Sequence, residues 1–93
     1  MKVLKFGATW CSGCIVMKPR WKEIEEEYNL KGEKLDTQYY DFDIDKEAVS
    51  KWKIDKNLPA FVFLDNKGKE ILRMNGEPSK NELIKVIEAN KKK

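Results

Sequence analysis

Val3-Leu4-Lys5-Phe6-Gly7-Ala8-Thr9-Trp10-Cys11-Ser12-Gly13-Cys14 carries an apolar run straight into two cysteines three residues apart. Val3 to Ala8 reads as a short strand with one charged interruption, Lys5. Thr9 to Cys14 reads as a loop running into a helix. The helical signal is Cys14, Met17, Trp21, Ile24 and Tyr28, which recur at intervals of three and four. That spacing lays them on one face, and Lys and Glu fill the opposite one. Pro19 lies inside the pattern and has no N–H to offer the carbonyl of Ile15, so a kink is expected there. Asn29 to Gly32 ends the helix. The two cysteines therefore sit at a strand-to-helix junction.

Outward from that junction, Thr37 to Ile44 alternates as a second strand. Gln38, Tyr40, Phe42 and Ile44 share one face, and Thr37, Tyr39, Asp41 and Asp43 share the other. Asp45 is an expected N-cap for a short helix that buries Val49 and Trp52. Ala60 to Leu64, preceded by Leu58-Pro59, has the length and apolarity of a buried strand. Asp65 to Gly68 is a turn, and Glu70 to Met74 returns as the hairpin partner. Gly76-Glu77-Pro78 interrupts the chain. Ser79 with Glu82 makes a capping box for a last helix that buries Leu83, Ile84 and Ile87. The order β-α-β-α-β-β-α predicts an α/β fold, a mixed sheet with helices on both faces and its first two strands parallel.

Composition narrows the function. Ninety-three residues fit one domain with one ordinary core, expected over residues 1–90. Lys91 to Lys93 account for all of the formal charge of +3 and read as a solvated tail, so the folded part is nearly neutral. A nucleic-acid partner calls for a basic excess on the fold itself, and none is expected. No apolar run is long enough to cross a membrane, and the first residues do not resemble an export signal, so the expected place is the cytoplasm and the expected state a monomer. The absence of histidine excludes Cys-His and Ser-His-Asp catalysis. Two closely spaced cysteines are also too few for a secreted disulfide scaffold.

Cys11 and Cys14, at i and i+3 on the first turn, bring both sulfurs to one side of the helix. A disulfide between them opens and closes with little backbone movement. The unpaired N–H groups and the dipole of the turn favour a thiolate at Cys11 and pull its pKa below the free value of about 8.5. Such a thiolate attacks a client disulfide, and Cys14 then attacks Cys11 to release the reduced client. A CxxC pair alone leaves other readings open: a structural disulfide, half of a metal or cluster site bridged by a dimer, or a redox-inert pair in a peptide-binding module. Within one chain, zinc would lack two of its four ligands, so no metal is expected.

Taken together, the segment Phe6 to Cys14, Pro19 five residues after Cys14, Leu58-Pro59 before Phe61-Val62-Phe63, Gly68 in the hairpin and Gly76 before the last helix resemble the thioredoxin family over nearly the whole chain. The resemblance implies a thioredoxin-like four-stranded fold that lacks the family's first strand and helix. It implies protein-disulfide reductase activity in cell redox homeostasis, with Cys11 as nucleophile and Cys14 as resolving residue. It implies no bound cofactor beyond the redox-active disulfide, protein disulfides as substrates, and electrons from a thioredoxin-reductase-like partner. Leu58-Pro59 would form a cis bond beside the sulfurs and, with Trp10 and Gly76, bind the client chain. Three departures stand out. Ser12-Gly13 replaces the family's usual Gly-Pro and tunes the redox poise, so an oxidase or isomerase direction stays open. Ile15 stands where a basic residue is common. Lys5 stands where the family carries a buried aspartate, and Asp41 where it often has a lysine. A charge-swapped Lys5–Asp41 pair that moves the proton of Cys14 is the expectation.

Overall fold

A strand that is apolar on both faces has to be covered on both. The computed structural model describes residues 1–93, and in it β1 (Lys2–Gly7) meets that condition. Val3 packs into one apolar cluster, and Leu4 and Phe6 pack into another on the far side of the sheet. The remaining elements are α1 (Ser12–Leu30), β2 (Asp36–Asp41), α2 (Lys46–Lys51), β3 (Ala60–Leu64), β4 (Glu70–Asn75) and α3 (Lys80–Asn90). The sheet runs β2-β1-β3-β4. β1 is parallel to β2 and antiparallel to β3, and β3 is antiparallel to β4. This is the mixed four-stranded sheet that the element order predicts.

Met17, Trp21, Ile24 and Tyr28 of α1 join Leu83 and Ile87 of α3 over one face of the sheet. Ala48 and Val49 of α2 cover the other, with Trp52 beside them. Helices thus lie on both faces. All four of those α1 side chains are nearly sealed from solvent, as their spacing predicts. α1 passes Pro19 and continues to Leu30. Ser79 and Glu82 close the expected capping box on α3.

Three local expectations are corrected. β2 ends at Asp41 and not at Ile44, because Asp41 Oδ1 accepts from the backbone N–H groups of Asp43 (2.8 Å) and Ile44 (3.2 Å). That Asx-type turn bends the chain away from the sheet and leaves Ile44 76% exposed. Asp45 stands at the N-cap of α2 but makes no side-chain cap; its Oδ2 accepts from Asp41 N at 2.7 Å and braces the same turn. Val49, Trp52 and Ile84 are half-buried and not core. α2 is only six residues long and covers its side of the sheet incompletely. In the lysine tail Lys92 and Lys93 are exposed, while Lys91 bridges Glu33 and Glu88 and the Lys93 carbonyl accepts from Asn66 N.

Candidate active site

The end of β1 delivers the chain into α1 through a tight turn, in which Cys11 N donates to the Ala8 carbonyl at 3.2 Å. Cys11 is the N-cap of α1, with extended backbone angles, and its Sγ accepts from Cys14 N at 3.2 Å. A first-turn N–H, shared with the Cys11 carbonyl, thus points at this sulfur. No acidic residue lies in that turn to offset the positive end of the helix dipole. Cys11 and Cys14 are joined by a disulfide with their Cα atoms 5.2 Å apart. Cys11 is 7% exposed and Cys14 half-buried, while Ser12 between them is exposed.

Gly13 is buried against the loops that precede β3 and α3. A Cβ there would stand 3.1 Å from Pro59 Cδ and 3.3 Å from Glu77 Oε2, so the missing side chain lets this wall close on the cysteines. The Leu58–Pro59 bond is cis. Gly76 N donates to the Pro59 carbonyl at 2.9 Å, which fixes the loop before α3 against the start of β3. Gly76 has φ 81°, in the left-handed region that favours glycine. Trp10 is 54% exposed; its indole N–H donates to Asp43 Oδ2 at 2.8 Å, and its ring meets Phe42 edge-on. Pro59 therefore faces Gly13 and Cys14, Gly76 is tied to Pro59, and Trp10 directly precedes Cys11 in the chain. Glu77 is a border residue that the sequence reading missed, since nothing in its spacing sets it apart.

Behind Cys14 lies a cavity of about 450 Å³, lined among others by Lys5, Gly7, Tyr39, Asp41 and Pro59. Both relay candidates face this space, but not as a pair. Lys5 Nζ donates to Glu25 Oε2 at 2.9 Å, Glu25 Oε1 accepts from Thr37 Oγ1 at 2.9 Å, and the ammonium lies 5.7 Å from the centre of the Trp21 ring. The expected Lys5–Asp41 ion pair is thus replaced by Lys5–Glu25. Strand register explains the difference. Lys5 stands opposite Tyr39, and Asp41 stands opposite Gly7, a pleat further along. Tyr39 also went unassigned in the sequence, although it shares a strand face with Thr37 and Asp41. Burial, and then the carboxylates of Asp41 and Asp45, push its pKa up.

This arrangement has close parallels. A family model described as Thioredoxin matches residues 1–89. Thioredoxin H2-2 of Oryza sativa subsp. japonica is 32% identical over 87 residues, covering 91% of this chain and 58% of that protein. The chain spans about six-tenths of the length of such curated relatives. The X-ray structure of Fasciola hepatica thioredoxin superposes with a TM-score of 0.82 at 27% identity, over 96% of this chain and 79% of that one. Thioredoxin 1 from the thermophilic eubacterium Thermosipho africanus TCF52B gives 0.77 at 25% identity, over 96% and 92%.

Proposed function

This chain belongs to the thioredoxin family, and from that premise we propose that it is a thiol–disulfide oxidoreductase acting as a protein-disulfide reductase. One observation carries the reading. Cys11 and Cys14 are bonded to each other at the N-terminus of α1, where the sulfur of Cys11 already accepts a backbone hydrogen bond. The same donor favours the Cys11 thiolate once the pair is reduced. That thiolate attacks a client disulfide, forms a mixed disulfide and expels one client thiolate. Cys14, as thiolate, then attacks Cys11. The Cys11–Cys14 bond forms, the bond from Cys11 to the client breaks, and the electron pair leaves on the client sulfur. Two electrons pass to the client, and a thioredoxin-reductase-like donor returns two to the disulfide.

Trp10, Leu58, Pro59 and Gly76 would seat the client chain around Cys11. Lys5 and Asp41 would serve the proton of Cys14. Lys5 is tied to Glu25, which leaves the Asp41 carboxylate as the acceptor. Ser12 and Gly13 would set the redox poise. A monomer working in the reducing cytoplasm goes with this reading, and its sparse cysteine usage supports that compartment.

The test is insulin reduction together with Cys14→Ser. Wild type should reduce insulin with dithiothreitol as donor, and Cys14→Ser should accumulate a mixed disulfide on Cys11. A wild type that reduces insulin while Cys14→Ser traps nothing overturns the roles. The reduction potential, equilibrated against glutathione, tests the direction. The yardstick is thioredoxin itself at about −270 mV, and a value above about −180 mV would make the protein an oxidase or isomerase.

A further inference from the structure

We propose that Tyr39 donates a hydrogen bond to Cys14 in the reduced dithiol and holds its thiolate for attack on the mixed disulfide, an inference that rests on the reading of Cys14 as the resolving cysteine. The geometry converges on Gly7. A methyl group at Gly7 would stand 2.9 Å from Tyr39 Oη, 3.2 Å from Tyr39 Cε1 and 3.2 Å from Cys14 Sγ. The phenol and the sulfur therefore flank one spot, which only a glycine leaves open. Register puts Tyr39 there: it pairs with Lys5 in the parallel β1–β2 ladder, and both residues line the cavity behind Cys14.

The groups around that sulfur come from three elements. Lys5 comes from β1, Lys18 from α1, and Tyr39 and Asp41 from β2, with Glu25 of α1 held on Lys5. Lys5 is tied to Glu25, and one oxygen of Asp41 is tied to the turn after β2. Tyr39 is thus the neutral donor that shares this cavity with the sulfur. Partial desolvation of the phenol, and then Asp41 and Asp45, hold its proton more tightly than usual. A phenol already titrates above a free thiol, near 10 against about 8.5, so Tyr39 keeps its proton while Cys14 loses one. The bond is O–H to S⁻, a charge-assisted hydrogen bond. The thiol proton of Cys14 passes to the Asp41 carboxylate or to water, and Tyr39 retains its own. The leaving client sulfur takes its proton from water.

The experiment is stopped-flow reaction of the reduced full chain with a dithiobis-nitrobenzoate probe between pH 6 and 9. The first thionitrobenzoate released reports attack by Cys11, and the second reports resolution by Cys14. Tyr39→Phe keeps the ring and removes only Oη. Tyr39 is 55% exposed, so the fold should tolerate the change. The first phase should be unchanged. The second should slow about tenfold near pH 7 and approach wild type at the alkaline end, the mark of a thiolate that has lost one charge-assisted donor. A second phase identical to wild type at every pH overturns the inference and leaves the reductase reading standing. Equal slowing of both phases also overturns it, because the effect then lies outside Cys14. A wild type that never releases the second thionitrobenzoate removes Cys14 as the resolving residue, and this inference falls with it.

Discussion

At Lys5 an ammonium enters the fold and is met by a carboxylate from the helix above it. Its side chain is 17% exposed, and its partner Glu25 is itself braced by Thr37. Removing one member of a partly buried pair leaves the other without its counter-charge. Lys5→Met should therefore lower unfolding free energy by about 1 kcal/mol, and Glu25→Gln by less, in urea titrations near neutral pH. Gly7→Ala is a sharper probe, since its methyl would collide with Tyr39 Oη at 2.9 Å. It should cost about 1–3 kcal/mol in the same titration by displacing the Tyr39 ring. The sequence made the two cysteines legible because their spacing and the strand before them are local. Glu25 was not legible, because it lies on the helical face that reads as solvent. Asp41 looked like the partner because strand alternation puts it on the side of Lys5, but alternation does not reveal the stagger between strands.

Helix α1 owes its place to an apolar stripe that could be read directly, and its start to the cysteine that is also its N-cap. α3 starts on a reciprocal cap that could be read as well, with Ser79 Oγ accepting from Glu82 N at 3.1 Å and Glu82 Oε1 accepting from Ser79 N at 3.2 Å. Ser79→Ala should cost about 1 kcal/mol of stability by chemical denaturation, and Ser79→Asp should restore most of it. Strand β2 was legible only in part. Alternation continues through Phe42 and Ile44, and Phe42 N still donates to the Gly7 carbonyl, but the chain then leaves the sheet because the backbone donors of Asp43 and Ile44 find the carboxylate of Asp41 sooner than a ladder partner. A short side chain that competes with the ladder leaves no trace in hydrophobic periodicity. Asp45 misled for the same reason: its carboxylate braces the turn before α2 and does not cap the helix.

For the molecule as a whole, the shifted groups set the pH range of stability. Burial, then the hydrogen bond to Glu88, raise the pKa of Tyr28 well above its ordinary value. Below about pH 10 the phenol is protonated whether folded or unfolded, and above it only the unfolded chain releases the proton. Stability should therefore fall as pH rises past 10, and Tyr28→Phe should flatten that limb in urea midpoints measured from pH 8 to 11. On the acid side, hydrogen bonds from Tyr28, Arg73 and the Lys69 backbone hold Glu88, Glu70 and Asp65 below their usual values. Their contribution is present above the carboxylate range and lost as pH drops through it. The architecture was legible at this scale because element order restricts a small α/β chain to few arrangements. The central place of β1 has one more consequence, for synthesis on the ribosome. Lys2 lies opposite Leu64, so the sheet cannot gain its middle pairing until β3 has been made. During translation the cysteine-bearing helix must wait beside a strand whose second partner is still inside the exit tunnel, and folding should begin late and then complete nearly at once.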